Sequence, residues 1–454
     1  MSHFVYHSMG SVNGNNDHTA IPMKQLAILC LLTLALPGRA EDWPQFRGPS
    51  WQGFTREMGL PVEWGGKDKK NVLWQSPLRG SGHASPIVVG RRVILCTVEW
   101  PAEVADKDRA NVMPAHHVTA YDAADGKELW HAPIKPGPWQ RTDFRSGAGG
   151  GYAAPTPCSD GKAIYALFGS SVLAAIDLDG KELWRQEIKP FTFDVTIGSS
   201  PILFENTILV LCAMANKKDS RLAAFHTRNG ELKWETKMPT VGFAHSTPVL
   251  IEVEGRKQVL VLASGMGVAA DGIQSFDPSN GERIWWCKGG GDASTPAVGA
   301  YLDGGVKKPL VYFDSGRGGP GFAVDPTGKG DVSATHLKWT VNVGGEAIAS
   351  PVIVNDHVYR LVSGSVLKVW KCSDGSQAQT ERIGASSTWA SPIIDGHGRL
   401  FFATAGRSVV LEAGPPFKVL ATNDLSDANH NSPAVSQGRM FLAGAKQLHC
   451  VGAK

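Results

Sequence analysis

Three histidines and one tryptophan occupy the same place in a repeated pattern, two positions before a Ser-Pro or Thr-Pro pair. They are His83, His245, Trp389 and His430. Imidazole titrates near neutral pH, coordinates metals and hydrogen-bonds to ligands, so a cluster of such side chains predicts a polar pocket for a metal, an anion or a sugar-like molecule. The alternative is structural, with each imidazole capping a strand or hydrogen-bonding to an adjacent repeat.

Other residues with useful chemistry lie close to these pairs. Asp292 and Glu346 precede a Thr-Pro and a Ser-Pro pair, and Arg145 opens a glycine-rich run. That run lacks the Lys-Ser/Thr of a phosphate-binding loop, so we expect a loop over the pocket with Arg145 as an anion contact. We predict no metal site, because repeats on opposite sides of a ring hold their histidines too far apart for zinc. The sequence assigns no catalytic residue.

The Ser/Thr-Pro pair recurs eight times, which sets the architecture. Its intervals are 71, 44, 47, 48, 55, 41 and 41 residues, and most are close to the ~40–50 residues of a four-stranded propeller blade. Each pair opens short apolar runs rich in β-branched and aromatic residues, which predict strands. The pairs are Ser85-Pro86, Thr156-Pro157, Ser200-Pro201, Thr247-Pro248, Thr295-Pro296, Ser350-Pro351, Ser391-Pro392 and Ser432-Pro433.

A turn motif ends most repeats. It has the form Asp-x-x-x-Gly-Lys-Glu-Leu-Trp, as in Asp122 to Trp130. Asp, Asn and Gly suit a tight hairpin, and the indole can pack against the next repeat. The predicted docking tryptophans are Trp74, Trp130, Trp184, Trp234, Trp285 and Trp339. The segment around Trp74 precedes the first repeat and should complete the last one, which closes an all-β, eight-bladed propeller of four-stranded blades.

The spacing of aspartate, glycine, lysine and tryptophan in this motif resembles the docking motif of the pyrroloquinoline-quinone (PQQ) repeat family. That family includes quinoprotein dehydrogenases and the propeller lipoprotein of the bacterial outer-membrane assembly machinery. The opening Asp42-Trp-Pro-Gln-Phe-Arg47 is also similar to the start of exported propellers of the same type. Repeats 6 and 7 lack the tryptophan, so looser packing is expected there.

The resemblance implies two classes of function. A dehydrogenase of this family would hold PQQ with Ca²⁺ or a lanthanide on Glu, Asn and Asp oxygens and against two adjacent cysteines, whereas no two cysteines are adjacent here. We therefore expect no cofactor, with PQQ and Ca²⁺ as the alternative. The favoured function is a non-catalytic module of the cell envelope that binds a protein or a sugar-like small molecule. A hydrolase or lyase using the axial His, Asp and Glu residues is the other enzyme alternative.

The N-terminus predicts export. Lys24, an apolar run at 26–36 and the small residues Gly38 and Ala40 form a signal peptide cleaved after Ala40, with Met23 as an alternative start. Residues 41–454 then form a single domain. A net charge of +3 is too small to predict binding to nucleic acid. No later apolar segment is predicted to span a membrane, and we expect a monomer. Most of the six cysteines after residue 40 lie in apolar runs, which predicts buried thiols.

Overall fold

The computed structural model describes residues 41–454 except 141–150, 190–197, 215–216, 243, 263, 347 and 388. The predicted signal peptide and Arg145 lie outside the described residues. The strands form eight sheets that follow one another around a ring, each built on four antiparallel strands, and one sheet carries a fifth, parallel strand. The prediction of an eight-bladed β-propeller is therefore confirmed. Among the described residues, no helix has the length and apolar character needed to cross a bilayer.

The first four blades lie between residues 87 and 291. Blade 1 contains β2 (Ile87–Val89), β3 (Arg92–Glu99), β4 (Ala115–Asp122) and β5 (Glu128–Ile134). Blade 2 contains β6 (Cys158–Ser159), β7 (Ala163–Phe168), β8 (Val172–Asp177) and β9 (Glu182–Glu187). Blade 3 contains β10 (Ile202–Phe204), β11 (Thr207–Cys212), β12 (Arg221–His226) and β13 (Leu232–Lys237). Blade 4 contains β14 (Val249–Val253), β15 (Arg256–Leu262), β16 (Gly265–Phe276) and β17 (Arg283–Gly291).

The last four blades use the rest of the chain together with its first strand. Blade 5 contains β18 (Ala297–Asp303), β19 (Val306–Asp314), β20 (Pro320–Val324) and β22 (Leu337–Asn342), while the short β21 (Gly330–Asp331) pairs with β17. Blade 6 contains β23 (Val352–Val354), β24 (His357–Val362), β25 (Val366–Lys371) and β26 (Gln377–Arg382). Blade 7 contains β27 (Ile393–Ile394), β28 (Arg399–Phe402), β29 (Ser408–Glu412) and β30 (Lys418–Asn423). Blade 8 contains β31 (Ala434–Ser436), β32 (Arg439–Ala443), β33 (Gln447–Gly452) and β1 (Val72–Pro77). Short 3-10 helices span Asp106–Asn111 and Ser363–Ser365.

Blade 8 closes the ring with strands from both ends of the domain. Strand β1 pairs antiparallel with β33, and Trp74 lies opposite Cys450. This pairing satisfies the edge of β33, which would otherwise expose unpaired backbone groups. The predicted closure is confirmed. The six cysteines of the described residues are free and buried, as expected for thiols in apolar strands.

The docking tryptophans join each blade to the next one. Five of the six indoles lie on the turn glycine of the following blade, where an added Cβ would come within 2.5–2.8 Å of the ring. Four of these indole N–H groups donate to a carbonyl in the same turn, as Trp130 does to Leu178 at 2.9 Å. The pairs are Trp74 on Gly126, Trp130 on Gly180, Trp184 on Gly230, Trp234 on Gly281 and Trp339 on Gly375.

Trp285 departs from this arrangement. Blade 5 has a longer segment, which carries β21, in place of the tight turn, and Val332 of this segment joins the apolar cluster around Trp285. The indole is fully buried and donates to Gln258 of its own blade at 2.8 Å. In blade 6 the equivalent position is Gln379, whose side-chain oxygen accepts from the backbone N–H of Phe417 in blade 7.

The histidine pair of blade 1 lies inside the sheet. His116 and His117 are both on β4 and are buried. The insertion lengthens β3 and β4 before the chain leaves the sheet, so these residues stay within the strand pairing. The ring of His116 packs on Phe168, and its Nε2 lies 2.8 Å from the Ser170 hydroxyl of blade 2.

An N-terminal segment, residues 41–57, crosses the end of the ring where the innermost strands finish, and we call it the plug. It hydrogen-bonds to blades 1, 2, 5, 6, 7 and 8, and Trp51 packs against the two apolar clusters that blades 3, 4 and 5 form. One short segment of the chain therefore ties together most of the ring. Its hydrogen-bonded pairs are Asp42 with Gly90, Trp43 with Val88, Pro44 with Ser159, Arg47 with Pro351, Gln52 with Val298, Thr55 with Ile394 and Glu57 with Gly438.

Replacing Gly180 by Ala tests the docking of Trp130. Gly180 has φ +91°, and its Cβ would lie 2.8 Å from the indole, whereas Gly161 has φ +81° and no atom within 4 Å of its Cβ position. Both substitutions carry the backbone cost of a left-handed residue, but only Gly180→Ala also displaces the indole. We expect it to lower the free energy of unfolding by about 1–3 kcal/mol more than Gly161→Ala does, measured by denaturant titration. Equal losses would show that the contact contributes little.

Burial of His116 predicts a loss of stability in acid. Burial lowers the pKa of His116 to about 4, below its ordinary value of 6.5. Between these two pH values the unfolded chain therefore binds a proton more readily than the folded chain does. The neutral, buried imidazole lowers the free energy of unfolding progressively as the pH falls from 6.5 towards 4, and has no such effect above pH 6.5. We expect His116→Gln to reduce this decline by about 2–3 kcal/mol, and His397→Gln, at an exposed turn, is the control substitution. An unaltered pH profile of the His116 variant would contradict the assignment.

Candidate functional site

The Ser/Thr-Pro pairs form a closed ring of hydrogen bonds around the propeller axis. The backbone N–H of each Ser or Thr donates to the hydroxyl oxygen of its counterpart in the next blade, at 2.9–3.3 Å. The last of these bonds, from Ser432 to Ser85, closes the circle. Proline follows each residue and has no N–H of its own, so the strand pairing begins after it. We call these eight side chains the hydroxyl ring.

A cavity of about 270 Å³ lies on the axis at the hydroxyl ring. The whole ring lines it, as do Phe46 of the plug and Arg317 of blade 5. We call this cavity the funnel. It is also lined by the residue two positions before each Ser or Thr, namely His83, Ala154, Gly198, His245, Ala293, Ile348, Trp389 and His430. The structure thus brings together the three histidines and the tryptophan identified from their spacing.

Three of these side chains form a continuous arc over blades 7, 8 and 1, which we call the aromatic arc. Trp389 stacks on His430 with ring centroids 4.9 Å apart and planes at 30°, and His83 follows at 6.1 Å from His430. Asn429 fixes the arc from behind, because its side-chain oxygen lies 3.1 Å from His83 Nδ1 and its amide donates to two carbonyls. Trp389 is 46% exposed, which is unusual for so large an apolar side chain.

The opposite side of the funnel is made of small side chains. His245 lies on this side, and a Cβ on Gly198 would meet its side chain at 2.7 Å. The neighbouring positions are Ala154 and Ala293. The funnel is therefore asymmetric, with an aromatic wall on one side and space on the other.

The two predicted acidic residues do not line the funnel. Asp292 is fully buried, and its carboxylate accepts from the Nε and NH2 groups of Arg317 at 3.3 and 3.2 Å. Glu346 accepts from the remaining terminal nitrogen of Arg317 at 3.2 Å. Burial raises the pKa of Asp292 to about 6, although Arg317 opposes the shift. Arg317, which no sequence pattern marked as a site residue, takes their place at the funnel.

The funnel residues do not fit a Ca²⁺ ion with PQQ. Such a hard cation takes six to eight oxygen ligands, whereas the two carboxylates near the mouth are held by Arg317. Within the part of the chain that the structure describes, no group of three or more His, Cys, Asp or Glu side chains could hold a metal ion. Burial lowers the pKa of His430, so its imidazole is neutral at neutral pH.

Sequence reasoning missed two lining residues. Phe46 belongs to the plug, and nothing in the repeat spacing places a residue outside the repeats on the axis. Arg317 lies in a glycine-rich segment after β19, and no motif marked it as a site residue. Its β-bridge with Glu346 joins two segments that are distant in the chain, so no local pattern could have identified it.

Comparisons with known proteins agree with this architecture. The family model described as outer membrane protein assembly factor BamB matches residues 114–288, from β4 to β17. The protein of that name from Yersinia pestis is 22% identical over 330 residues, which cover 68% of this chain and 77% of that protein. Its match extends well beyond the family model.

Solved structures show the same fold at low identity. A europium-containing methanol dehydrogenase superimposes with a TM-score of 0.61 at 13% identity, covering 90% of this chain and 89% of the other. The quinohemoprotein alcohol dehydrogenase of Comamonas testosteroni gives 0.60 at 13% identity, covering 91% and 81%. BamB from Moraxella catarrhalis gives 0.50 at 14% identity, covering 79% and 94%. The resemblance to the PQQ-like repeat propellers is thereby confirmed.

Substitution of Arg317 tests the charge arrangement beside the funnel. Removing this cation leaves Asp292 buried without its partner, so we expect Arg317→Met to lower the free energy of unfolding by about 3 kcal/mol at pH 8. Arg317 lowers the pKa of Asp292, so without it Asp292 takes up a proton at a higher pH, and the loss should shrink as the pH falls from 8 towards about 6, where Asp292 is protonated in the unaltered chain as well. Glu346→Gln removes a half-exposed pair and should cost under about 1 kcal/mol. A loss in Arg317→Met that does not change with pH would contradict this role.

Proposed function

We propose that this chain is a non-catalytic binding propeller of the cell envelope, and that the funnel is its ligand site. The observation that carries the proposal is the composition of the funnel. Phe46 closes one end of the funnel, and its walls carry the hydroxyl ring, the aromatic arc and Arg317. The carboxylates of Asp292 and Glu346 bind that arginine and do not line the funnel. Such a concave, largely apolar site with a few convergent polar groups suits reversible binding of a small molecule.

The envelope assignment is supported by similarity and by the N-terminal pattern. The matched family model and the Yersinia pestis relative are both described as outer membrane protein assembly factors. Residues 24–40 have the charge, apolar length and small residues of a signal peptide, with cleavage after Ala40. We infer that the chain works in the periplasm or outside the cell. Docking of an envelope protein on the rim of the propeller is compatible with a ligand in the funnel.

An enzyme is the second candidate, because two of the structural neighbours are a methanol dehydrogenase and a quinohemoprotein alcohol dehydrogenase. That likeness is one of fold, and a fold hosts many unrelated activities. A quinone site would need a cation cage, and hydrolysis or elimination would need a free acid or base in the funnel. Asp292 and Glu346 are engaged with Arg317, which argues against a cation cage and against a carboxylate acid or base in the funnel.

Titration of the purified chain with PQQ, with and without Ca²⁺ or a lanthanide, tests the proposal. We expect no saturable change in the cofactor's absorbance and no rise in melting temperature. A ligand that binds only the folded state would stabilise it by ~2.7 kcal/mol at a hundredfold excess over its Kd, which melting experiments detect readily.

The outcome against the proposal is metal-dependent uptake of PQQ together with oxidation of an added alcohol. His245→Ala and His430→Ala then serve as diagnostic variants. Loss of turnover in either of them, with an unchanged melting temperature, would make the chain an enzyme. An unchanged rate would locate the chemistry away from the funnel.

A further inference from the structure

We propose that the funnel binds a neutral saccharide, with one face of a sugar ring stacked on Trp389 and the sugar oxygens directed to the hydroxyl ring. The inference rests on the proposed function and names the ligand class for the same site. It is carried by three independent features of the funnel: the hydrogen-bonding state of the ring, the exposed arc and the local charge.

The hydroxyl ring has hydrogen-bonding capacity left over. Each oxygen accepts one backbone N–H, as Thr156 does from Ser85 at 3.0 Å. Among the described residues, none of the eight hydroxyls donates to a protein acceptor, so each retains its proton and one lone pair for the funnel. Sugar hydroxyls also donate and accept, so they match a surface with both functions. A carboxylate or phosphate would use only the donors.

The aromatic arc supplies the apolar half of such a site. Trp389 is 46% exposed beside the funnel, although a tryptophan of this kind is normally covered. Its stacking on His430, and the hydrogen bond between His430 Nδ1 and the Ser387 hydroxyl at 3.2 Å, fix the plane of the arc. A pyranose presents C–H groups on its ring face and hydroxyls at its edge. Stacking on the arc therefore leaves the edge free for the hydroxyl ring.

Charge at the funnel favours a neutral ligand. Arg317 contributes one positive charge and is bound by the carboxylates of Asp292 and Glu346. Burial lowers the pKa of His430, which disfavours a cationic imidazole there. Among the charged side chains that the structure describes, Arg317 faces the funnel, and an anion beside it would also meet the negative charges of Asp292 and Glu346.

Size restricts the ligand to about one ring at the base of the funnel. The cavity of about 270 Å³ is near the lower end of the ~300–1,000 Å³ found for small-molecule sites. Small side chains at Ala154, Gly198 and Ala293 leave space opposite the arc. A longer saccharide would enter with one terminal residue and extend out of the mouth.

The test uses the methyl glycosides of glucose, galactose and mannose, and the corresponding charged uronides, as probes. Binding to the full chain is followed by saturation-transfer NMR and calorimetry. We expect at least one neutral glycoside to bind saturably and more tightly than its uronide. Trp389→Ala should weaken that binding about tenfold, whereas Trp389→Phe, which keeps an aromatic face, should retain most of it.

Trp286→Ala is the matched control, since Trp286 lies on β17 under the Arg283 guanidinium and does not line the funnel. Its glycoside affinity should equal that of the unaltered chain. Tighter binding of a uronide that depends on Trp389 would overturn the neutral-saccharide inference and leave the funnel as a ligand site. Absence of binding by all six probes would also overturn it, while the proposed function would still be decided by the PQQ titration. An equal loss of glycoside affinity in Trp389→Ala and Trp286→Ala would show that the glycoside does not bind in the funnel.

Discussion

The structure depends on the hydrogen bond that each blade makes to the next one through the hydroxyl ring. In a propeller the innermost strands meet at the axis, where the first backbone N–H of each blade has no partner in its own sheet. An unpaired buried N–H is costly, and the side chain of the neighbouring Ser or Thr satisfies it at 2.9–3.3 Å. Because the bond runs from blade to blade, it sets the blades at one height along the axis.

The same constraint produces the site. The residue two positions before each Ser or Thr of the hydroxyl ring lies at the same height along the propeller axis. Side chains that are far apart in the chain therefore become neighbours, as do those of His83 and His430, which are 347 positions apart. Their chemistry is not fixed by the repeat, since alanine, glycine and isoleucine occupy the equivalent places in other blades. The funnel is therefore a regular frame whose lining varies from blade to blade, and this variation gives it an aromatic wall and an open side.

Farther from the axis, other contacts hold the blades and the floor in place. The indoles of the fourth strands lie on the turn glycines, and β1 completes blade 8. Beneath the funnel the plug buries Arg47, whose pKa falls to about 9 because of burial and the nearby Arg360. Arg360 is itself fully buried and paired with Asp314 at 2.7 Å. Buried charged side chains therefore lie in and around the plug, although Phe46 presents an apolar face to the cavity.

The sequence by itself determined the fold, because strand length, turn residues and the eight Ser/Thr-Pro pairs are local patterns that repeat in register. It also placed His83, His245, Trp389 and His430 together, since equivalent positions of a closed ring must converge. Only the tertiary structure decided which groups face the cavity. Asp292 and Glu346 lie a few residues before a Thr-Pro and a Ser-Pro pair in the sequence, which predicted that they would face the funnel. In the structure Arg317 binds both carboxylates instead. Likewise, the burial of His116 and the buried position of Trp285 follow from insertions whose packing no repeat pattern encodes. Side-chain pairing across blades depends on distances between segments far apart in the chain, and these exist only once the ring has closed.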